Sequence, residues 1–267
     1  MNKKTILFWI IAVVITLSSA VFQRLTGPTK PYRGQAELGE SAISYRLIRT
    51  YDQPEDAPVS IEATNSDISG YYIYKRYPSH DEWERAPLER EGDRLIARIP
   101  QQPAAGKVMY QVFLVKGDDQ VMLSEEPIII RFRDSVPGWA MLPHILLMFT
   151  AMLLSTRAGL AALFREKTFS LTLWTFITFV LGGLVFGPIV QKYAFGDFWT
   201  GWPWGTDLTD NKTAFAFIFW LIAFIKVFKN PRHRSWVLVA SIVLLLIYLI
   251  PHSLLGSEID WTQEGVE

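Results

Sequence analysis

No cysteine occurs anywhere in the 267 residues. That absence excludes disulfide bonds, thiolate metal sites, iron–sulfur clusters, CxxCH haem attachment and cysteine nucleophiles together. The motifs that announce a reaction are missing too: GxSxG, HExxH, the P-loop and GxGxxG do not occur. Net charge is zero, with 26 Lys and Arg against 26 Asp and Glu, so the overall balance does not point to nucleic acid as a partner. The chain lacks the internal repeat that many transporters display. No carboxylate or arginine falls inside the apolar runs described below, where a coupled transporter would keep its coupling residue.

What is present is apolar and aromatic. Half of the residues are hydrophobic and 14% are aromatic, above the composition of ordinary soluble domains. Charge is unevenly spread: residues 24–135 hold fifteen basic and eighteen acidic residues, the rest of the chain eleven and eight. Five apolar runs account for the difference. Ile6 to Phe22 follows Asn2-Lys3-Lys4 and is read in two ways. It is an anchor helix of membrane-spanning length, or a signal peptide ending at Ser18-Ser19-Ala20. Four further spans are predicted at 138–156, 170–190, 213–228 and 236–250. Gly182, Gly183 and Gly187 in the third give small-residue spacing for close helix packing, and Pro188 predicts a kink.

Basic clusters set the direction. Lys3 and Lys4 precede the first run; Arg157, Arg165 and Lys167 separate the second and third; Lys226, Lys229, Arg232 and Arg234 separate the fourth and fifth. All fall on one side if the spans alternate, and short-loop Lys and Arg mark the cytoplasmic side. The expected topology in a cell inner or plasma membrane is therefore multi-pass. The N-terminus is cytoplasmic, and residues 23–137, the loop 191–212 and the acidic tail 257–267 are extracytoplasmic.

Residues 40–135 read differently. AISYRLIRTY, PVSIEAT, GYYIYKRY, DRLIARIP, KVMYQVFLVKG and EEPIIIRFR alternate or run apolar and are separated by turn residues, the pattern of an antiparallel sandwich. From Gly70 to Val115 an aromatic strand is followed by Trp83, a charged turn and IARIPQQPAAGKVMYQVFLV. This stretch resembles the late strands of a fibronectin-type-III or immunoglobulin-like domain. The resemblance implies a core organised by an inward tryptophan and tyrosine, here Trp83 and Tyr110, and says little about activity. The fold class expected is a membrane α-helical bundle of four to five transmembrane helices with an inserted all-β extracytoplasmic sandwich. An anchor or uncleaved signal (1–22) and a linker (23–39) precede the sandwich, and the four-helix membrane domain (136–256) follows it.

Candidate sites gather on the expected outer side. His144 and His252 each follow a proline; two facing imidazoles could hold b-type haem or a metal ion, or each could bond a carbonyl freed by its proline. Asp197 and Asp207 are candidate cation ligands, although the spacing is not that of a calcium loop. Asp210, with Thr209, is the expected cap of the fourth span. Trp199, Trp202 and Trp204 suit an interfacial aromatic belt or a partner surface. The expected function is a non-catalytic integral membrane protein. It would bind a membrane or envelope protein through its sandwich and interfacial loop, as an accessory or assembly subunit of an envelope or respiratory complex. A haem- or metal-binding redox protein using His144 and His252 is the alternative, and transport of a small solute a third.

Overall fold

A computed structural model describes residues 3–252 and 254–263 of the chain. Two compact units result: Met1–Pro28 with Val136–Ser257, and Thr29–Ser135 with Glu258–Glu267.

The first unit is helical. Helix α1 spans Lys3–Thr26, α2 Gly138–Leu163 and α3 Phe169–Phe179. Helix α3 passes through a π-helical segment, Val180–Phe186, directly into α4, Gly187–Phe195; α5 (Leu208–Lys229) and α6 (Ser235–Leu249) follow. Among the described residues four helical stretches are long and apolar enough to cross a membrane: Lys3–Thr26, Gly138–Leu163, Phe169–Phe195 and Leu208–Lys229. The expected fifth span is the 15-residue α6. At 1.5 Å per residue it is about 22 Å long, short of about 30 Å of hydrocarbon.

Side-chain pairs fix how the helices run. Phe8 of α1 stacks on Phe164, just past α2, and Lys4 lies 3.9 Å from Glu166. At the other end of α1, Gln23 bonds the carbonyl of Tyr248, and the Tyr248 hydroxyl donates to the carbonyl of Met148 at 2.7 Å. Helix α6 therefore runs antiparallel to α2, and Ser241 meets Ser155 farther along the same contact. Phe169 lies near Phe228 and Phe176 stacks on Phe224 and Phe217, so α3 and α5 are antiparallel as well. Lys4, Arg157 and Lys226 consequently share one end of the bundle, the basic end, and Asp207, Asp210 and Lys212 lie at the opposite one. The bundle core is built largely from small residues: Ala151, Ala158, Ala162, Ala216, Ala223 and Ala240 are buried there with Trp220 and Phe179. Small side chains let apolar helices approach closely, which is what makes their packing attractive where lipid competes equally for apolar surface. Gly182 illustrates it, since a Cβ there would stand 2.9 Å from the Cβ of Leu147 on α2.

The second unit is a β-sandwich. One sheet has the order β1-β2-β4-β8-β7 and the other β3-β11-β9-β5-β6, with β10 paired to β9. The first comprises β1 (Tyr32–Leu38), β2 (Ser41–Leu47), β4 (Ala57–Glu62), β7 (Glu89–Glu91) and β8 (Arg94–Ile99). The second comprises β3 (Thr50–Tyr51), β5 (Ser69–Arg76), β6 (Glu84–Pro87), β9 (Lys107–Lys116), β10 (Asp119–Met122) and β11 (Ile128–Phe132). Pairing is antiparallel except between β3 and β11. Alternation positions the core: in β4, Ala57, Val59 and Ile61 are buried while Pro58, Ser60 and Glu62 are exposed. Gly39, Gly92 and Gly117 each take the first position of a two-residue turn with φ near +60°. That region is open to glycine at little cost and matches the twist of the paired strands.

Two expectations change here. Strand β1 begins at Tyr32 and is paired residue for residue with β2, so the stretch read as linker up to residue 39 belongs to the sheet. Trp83 is 39% exposed, with the Lys75 ammonium 5.5 Å from its ring centre, and is not a core residue. Tyr110 is fully buried as expected, its hydroxyl donating to the Ile48 carbonyl at 2.9 Å. The described part of the acidic tail packs on the sandwich: Ile259 N–H bonds the Ala105 carbonyl, Trp261 N–H bonds that of Pro78, and the Trp261 ring lies 4.6 Å from the Arg76 guanidinium. Residues 264–267 of that tail lie outside the described residues.

Candidate functional site

The densest polar assembly of the helical unit is built around the first turn of α5. Leu208 opens the helix, and the residue before it, Asp207, is the N-cap. Its Oδ1 accepts from the N–H groups of Thr209 at 2.7 Å and Asp210 at 3.4 Å, two of the donors that a helix start leaves without partners. Asp210 is therefore not the cap. It lies one turn in, and its Oδ2 accepts from Thr200 N at 2.7 Å and from Gln191 Nε2 at 3.0 Å. The next residue, Asn211, accepts from Trp202 N at 2.7 Å.

The opposite oxygen of Asp207 holds the chain after α6. Ser257 donates both its N–H and its hydroxyl to Asp207 Oδ2, each at 2.7 Å, and its Oγ lies 2.6 Å from the Thr200 hydroxyl. Lys212 completes the set, donating to the Ile250 carbonyl at the end of α6 over 3.1 Å. Asp207, Asp210 and Lys212 are 8%, 5% and 9% exposed. Burial of an unpaired charge would be severely unfavourable; here Asp207 and Asp210 each meet several donors, and Lys212 meets the Ile250 carbonyl. Burial pushes the Asp207 carboxyl up, but the hydrogen bonds from Ser257, Thr209 and Asp210 together outweigh it and hold the group below the usual aspartate value.

This arrangement ties structure together and exposes little chemistry. Four donors occupy the Asp207 carboxylate, which leaves it poorly placed to take a proton from a substrate. Gly201 makes the loop contact feasible, because a Cβ there would come 2.6 Å from Cβ of Asp210. The loop itself turns outward. Trp202 is 78% and Trp204 81% exposed, the Trp202–Pro203 bond is cis, and Trp199 Nε1 donates to the Trp202 carbonyl.

The remaining candidates lie apart from this network. Asp197 is an exposed loop residue before it. His144 lies on α2 against the π-helical segment, where its Nδ1–H meets the Gly182 carbonyl at 2.9 Å. That carbonyl belongs to the neighbouring span and already accepts from Gly187 N–H. His252 is exposed in the turn after α6. Among the described residues no group of three or more His, Asp or Glu is spaced to hold a metal ion.

The basic end holds a group that hydropathy hides. Helix α2 continues to Leu163, so Arg157 is a helix residue, only 5% exposed, and Asp210 is likewise buried inside α5. The expectation that the spans carry no buried carboxylate or arginine is thereby corrected. Arg157 pairs with Glu166 at 2.9 Å and lies 5.4 Å from the Phe8 ring centre. Gln191, Thr200 and Ser257 have no distinguishing sequence signal, Ser257 lying fifty positions from Asp207. Lys212 alone is conspicuous, as a lysine at the start of an apolar run. No protein family matches the chain, and neither a curated protein nor a solved structure is similar to it.

Proposed function

We propose that this chain is a non-catalytic integral membrane protein that holds a protein partner on its β-sandwich and its tryptophan-bearing loop, as an accessory or assembly subunit of an envelope or respiratory complex. One observation carries the reading. The outer face of the six-stranded sheet, which in a sandwich is ordinarily polar, is largely apolar. Phe113 of β9 stands between Met122 and Tyr71 across the ladder, and Met109 between Ile129 and Lys75. Tyr71 stacks on Phe113 at 4.8 Å and carries the Arg85 guanidinium 3.6 Å from its ring centre. Strand β9 buries Val108, Tyr110, Val112 and Leu114 inward, while its other face carries half-buried Met109, Phe113 and Val115 beside Lys107 and Gln111, with Ile73 of β5 opposite Gln111. Strands apolar on both faces are those covered on both faces, and aromatic and methionine side chains with a neighbouring arginine are the enriched residues of protein interfaces.

The shared end of Lys4, Arg157 and Lys226 supports a cytoplasmic basic end. By the positive-inside rule the insertion that joins α1 to α2 is then extracytoplasmic, with the Trp202 and Trp204 loop on the same side. A fibronectin-type-III or immunoglobulin-like character of the sandwich belongs to the same proposal; buried Tyr110 supports it and exposed Trp83 does not.

Cross-linked purification of the full chain from native membranes tests the proposal. A stoichiometric protein is expected to accompany the wild type and to be lost from Ile73→Asp/Met109→Asp, with helix content unchanged. A chain that emerges alone ends it. The redox alternative keeps one supporting observation: the Nδ1–H bond to Gly182 fixes the His144 ring and leaves Nε2 as its lone-pair side, the arrangement common behind metal-bound histidine. A Soret band in the same sample would favour that alternative.

A further inference from the structure

We propose that the outer face of the five-stranded sheet carries a second site, a trough that binds a phosphate group. Arg33 of β1 and Arg46 of β2 are directly paired across the antiparallel ladder. Like charges placed opposite one another on a sheet face destabilise it, and neither guanidinium has a hydrogen-bond or ion-pair partner among the described residues. The neighbouring row runs from Gln35 opposite Ser44 to Glu62 opposite Arg94. Glu62 and Arg94 do not close an ion pair among the described residues either.

These side chains border an open surface trough of about 600 Å³, with Ser44 and Ser60 among its lining residues. The floor is low because serines alternate with the buried positions of β2 and β4, and the walls rise because Arg33, Arg46 and Arg94 come from three strands. Elsewhere on the same sheet the arginine is satisfied: Arg98 bonds Glu89 at 2.8 Å and Glu91 at 2.7 Å. The unmatched guanidiniums thus gather in the trough, where three of them stand against the single carboxylate of Glu62.

The donor set selects the ligand. Guanidinium forks and serine hydroxyls arriving from several sides match an anion with three or more acceptor oxygens in a tetrahedral arrangement, which a planar carboxylate does not offer. Gln35 adds an amide donor on the β1 side. The phosphate can come from a free phosphate ion or from a phospholipid headgroup, and the test separates the two.

Hydrogen–deuterium exchange of residues 32–47 is followed on the full chain in phosphatidylcholine nanodiscs, with inorganic phosphate titrated in, and separately in nanodiscs containing phosphatidylglycerol. Protection of β1 and β2 by inorganic phosphate identifies a free anion, and protection by phosphatidylglycerol alone identifies a lipid headgroup. In either arm Arg33→Ser/Arg46→Ser should weaken the effect by at least about tenfold, and Arg98→Ser should leave it unchanged. The thermal midpoint of the double variant should match or exceed that of the wild type, because a like-charge pair has been removed. No protection in either arm, or protection retained in the double variant, overturns the site.

Discussion

Ser257 is held by Asp207 through two hydrogen bonds to one carboxylate oxygen, both 2.7 Å long, while the other oxygen of Asp207 caps α5. A single side chain thus fixes where one helix begins and where the chain leaving another helix must lie.

Replacing Asp207 with alanine should remove both functions. Losing a cap costs about 1 kcal/mol, and leaving buried donors without an acceptor adds about 1–3 kcal/mol. Unfolding of the detergent-solubilised protein should therefore show a loss on the order of 2–4 kcal/mol. Thr209→Ala should be nearly neutral, since its side chain is not the cap.

The same aspartate makes stability depend on pH. Its folded value is depressed, burial being outweighed by its hydrogen bonds, whereas in the unfolded chain it titrates near about 3.9. The stabilisation is complete above the unfolded value and is lost as pH falls through the lower folded one. Melting midpoints measured from about pH 6 down to 2 should fall faster for the wild type than for Asp207→Asn. Parallel curves would show that the carboxylate contributes nothing by ionising.

Gly201 lies where a methyl group would meet Cβ of Asp210 at 2.6 Å. Gly201→Ala should lift the tryptophan loop from α5, shifting the emission of Trp199, Trp202 and Trp204 and costing about 1–3 kcal/mol. Gly138→Ala is the control, because nothing lies within 4 Å of a Cβ there.

In the sandwich, burial and the hydrogen bond to Glu84 push the Tyr74 hydroxyl up to about 12. Its neutral form is favoured on folding, so that contribution is intact below the unfolded value near about 10 and is lost as pH rises toward 12. The ultraviolet difference titration of wild type minus Tyr74→Phe should have its midpoint about two units above an ordinary tyrosine. A midpoint near the ordinary value would mean that Glu84 does not hold the proton in solution.

Trp83 and Tyr110 should respond oppositely to substitution. Trp83→Ala removes a half-exposed ring and should cost less than about 1 kcal/mol. Tyr110→Phe strands the buried Ile48 carbonyl and should cost about 1–3 kcal/mol. Urea unfolding of the intact protein, read by near-ultraviolet circular dichroism, distinguishes the two.

Much of this architecture is legible in the sequence because periodicity and hydropathy are local. The strands of PVSIEAT and KVMYQVFLV alternate in burial as their patterns predict, and the apolar runs become helices. Strand β1 is faint in hydropathy because YRGQAEL alternates with small inward residues, Gly34 and Ala36 before Leu38, and its residue-for-residue pairing with β2 is what identifies it. Trp83 was misplaced for a related reason, since a likeness of pattern gives the residue type near a position and not the face on which it points. The aspartates were legible as a cluster, but not their division of labour. Asp207 and Asp210 are three residues apart, and which of them caps depends on where α5 starts; that in turn depends on Ser257, fifty positions away. Arg157 was hidden because the hydrophobic run ends before it while the helix does not.

The π-helical segment at Val180–Phe186 also acts as a phase setter. A turn closed by bonds five residues apart holds one residue more than an α turn, and each α-helical residue rotates the helix face by about 100°. Everything beyond the segment is therefore dialled round relative to an uninterrupted helix. Gln191, five positions past it, is aimed at Asp210 in that rotated frame. A variant lacking one residue of the segment would keep its hydrophobic length but point Gln191 away, so the tryptophan loop would lose its anchor through a change made wholly inside the helix.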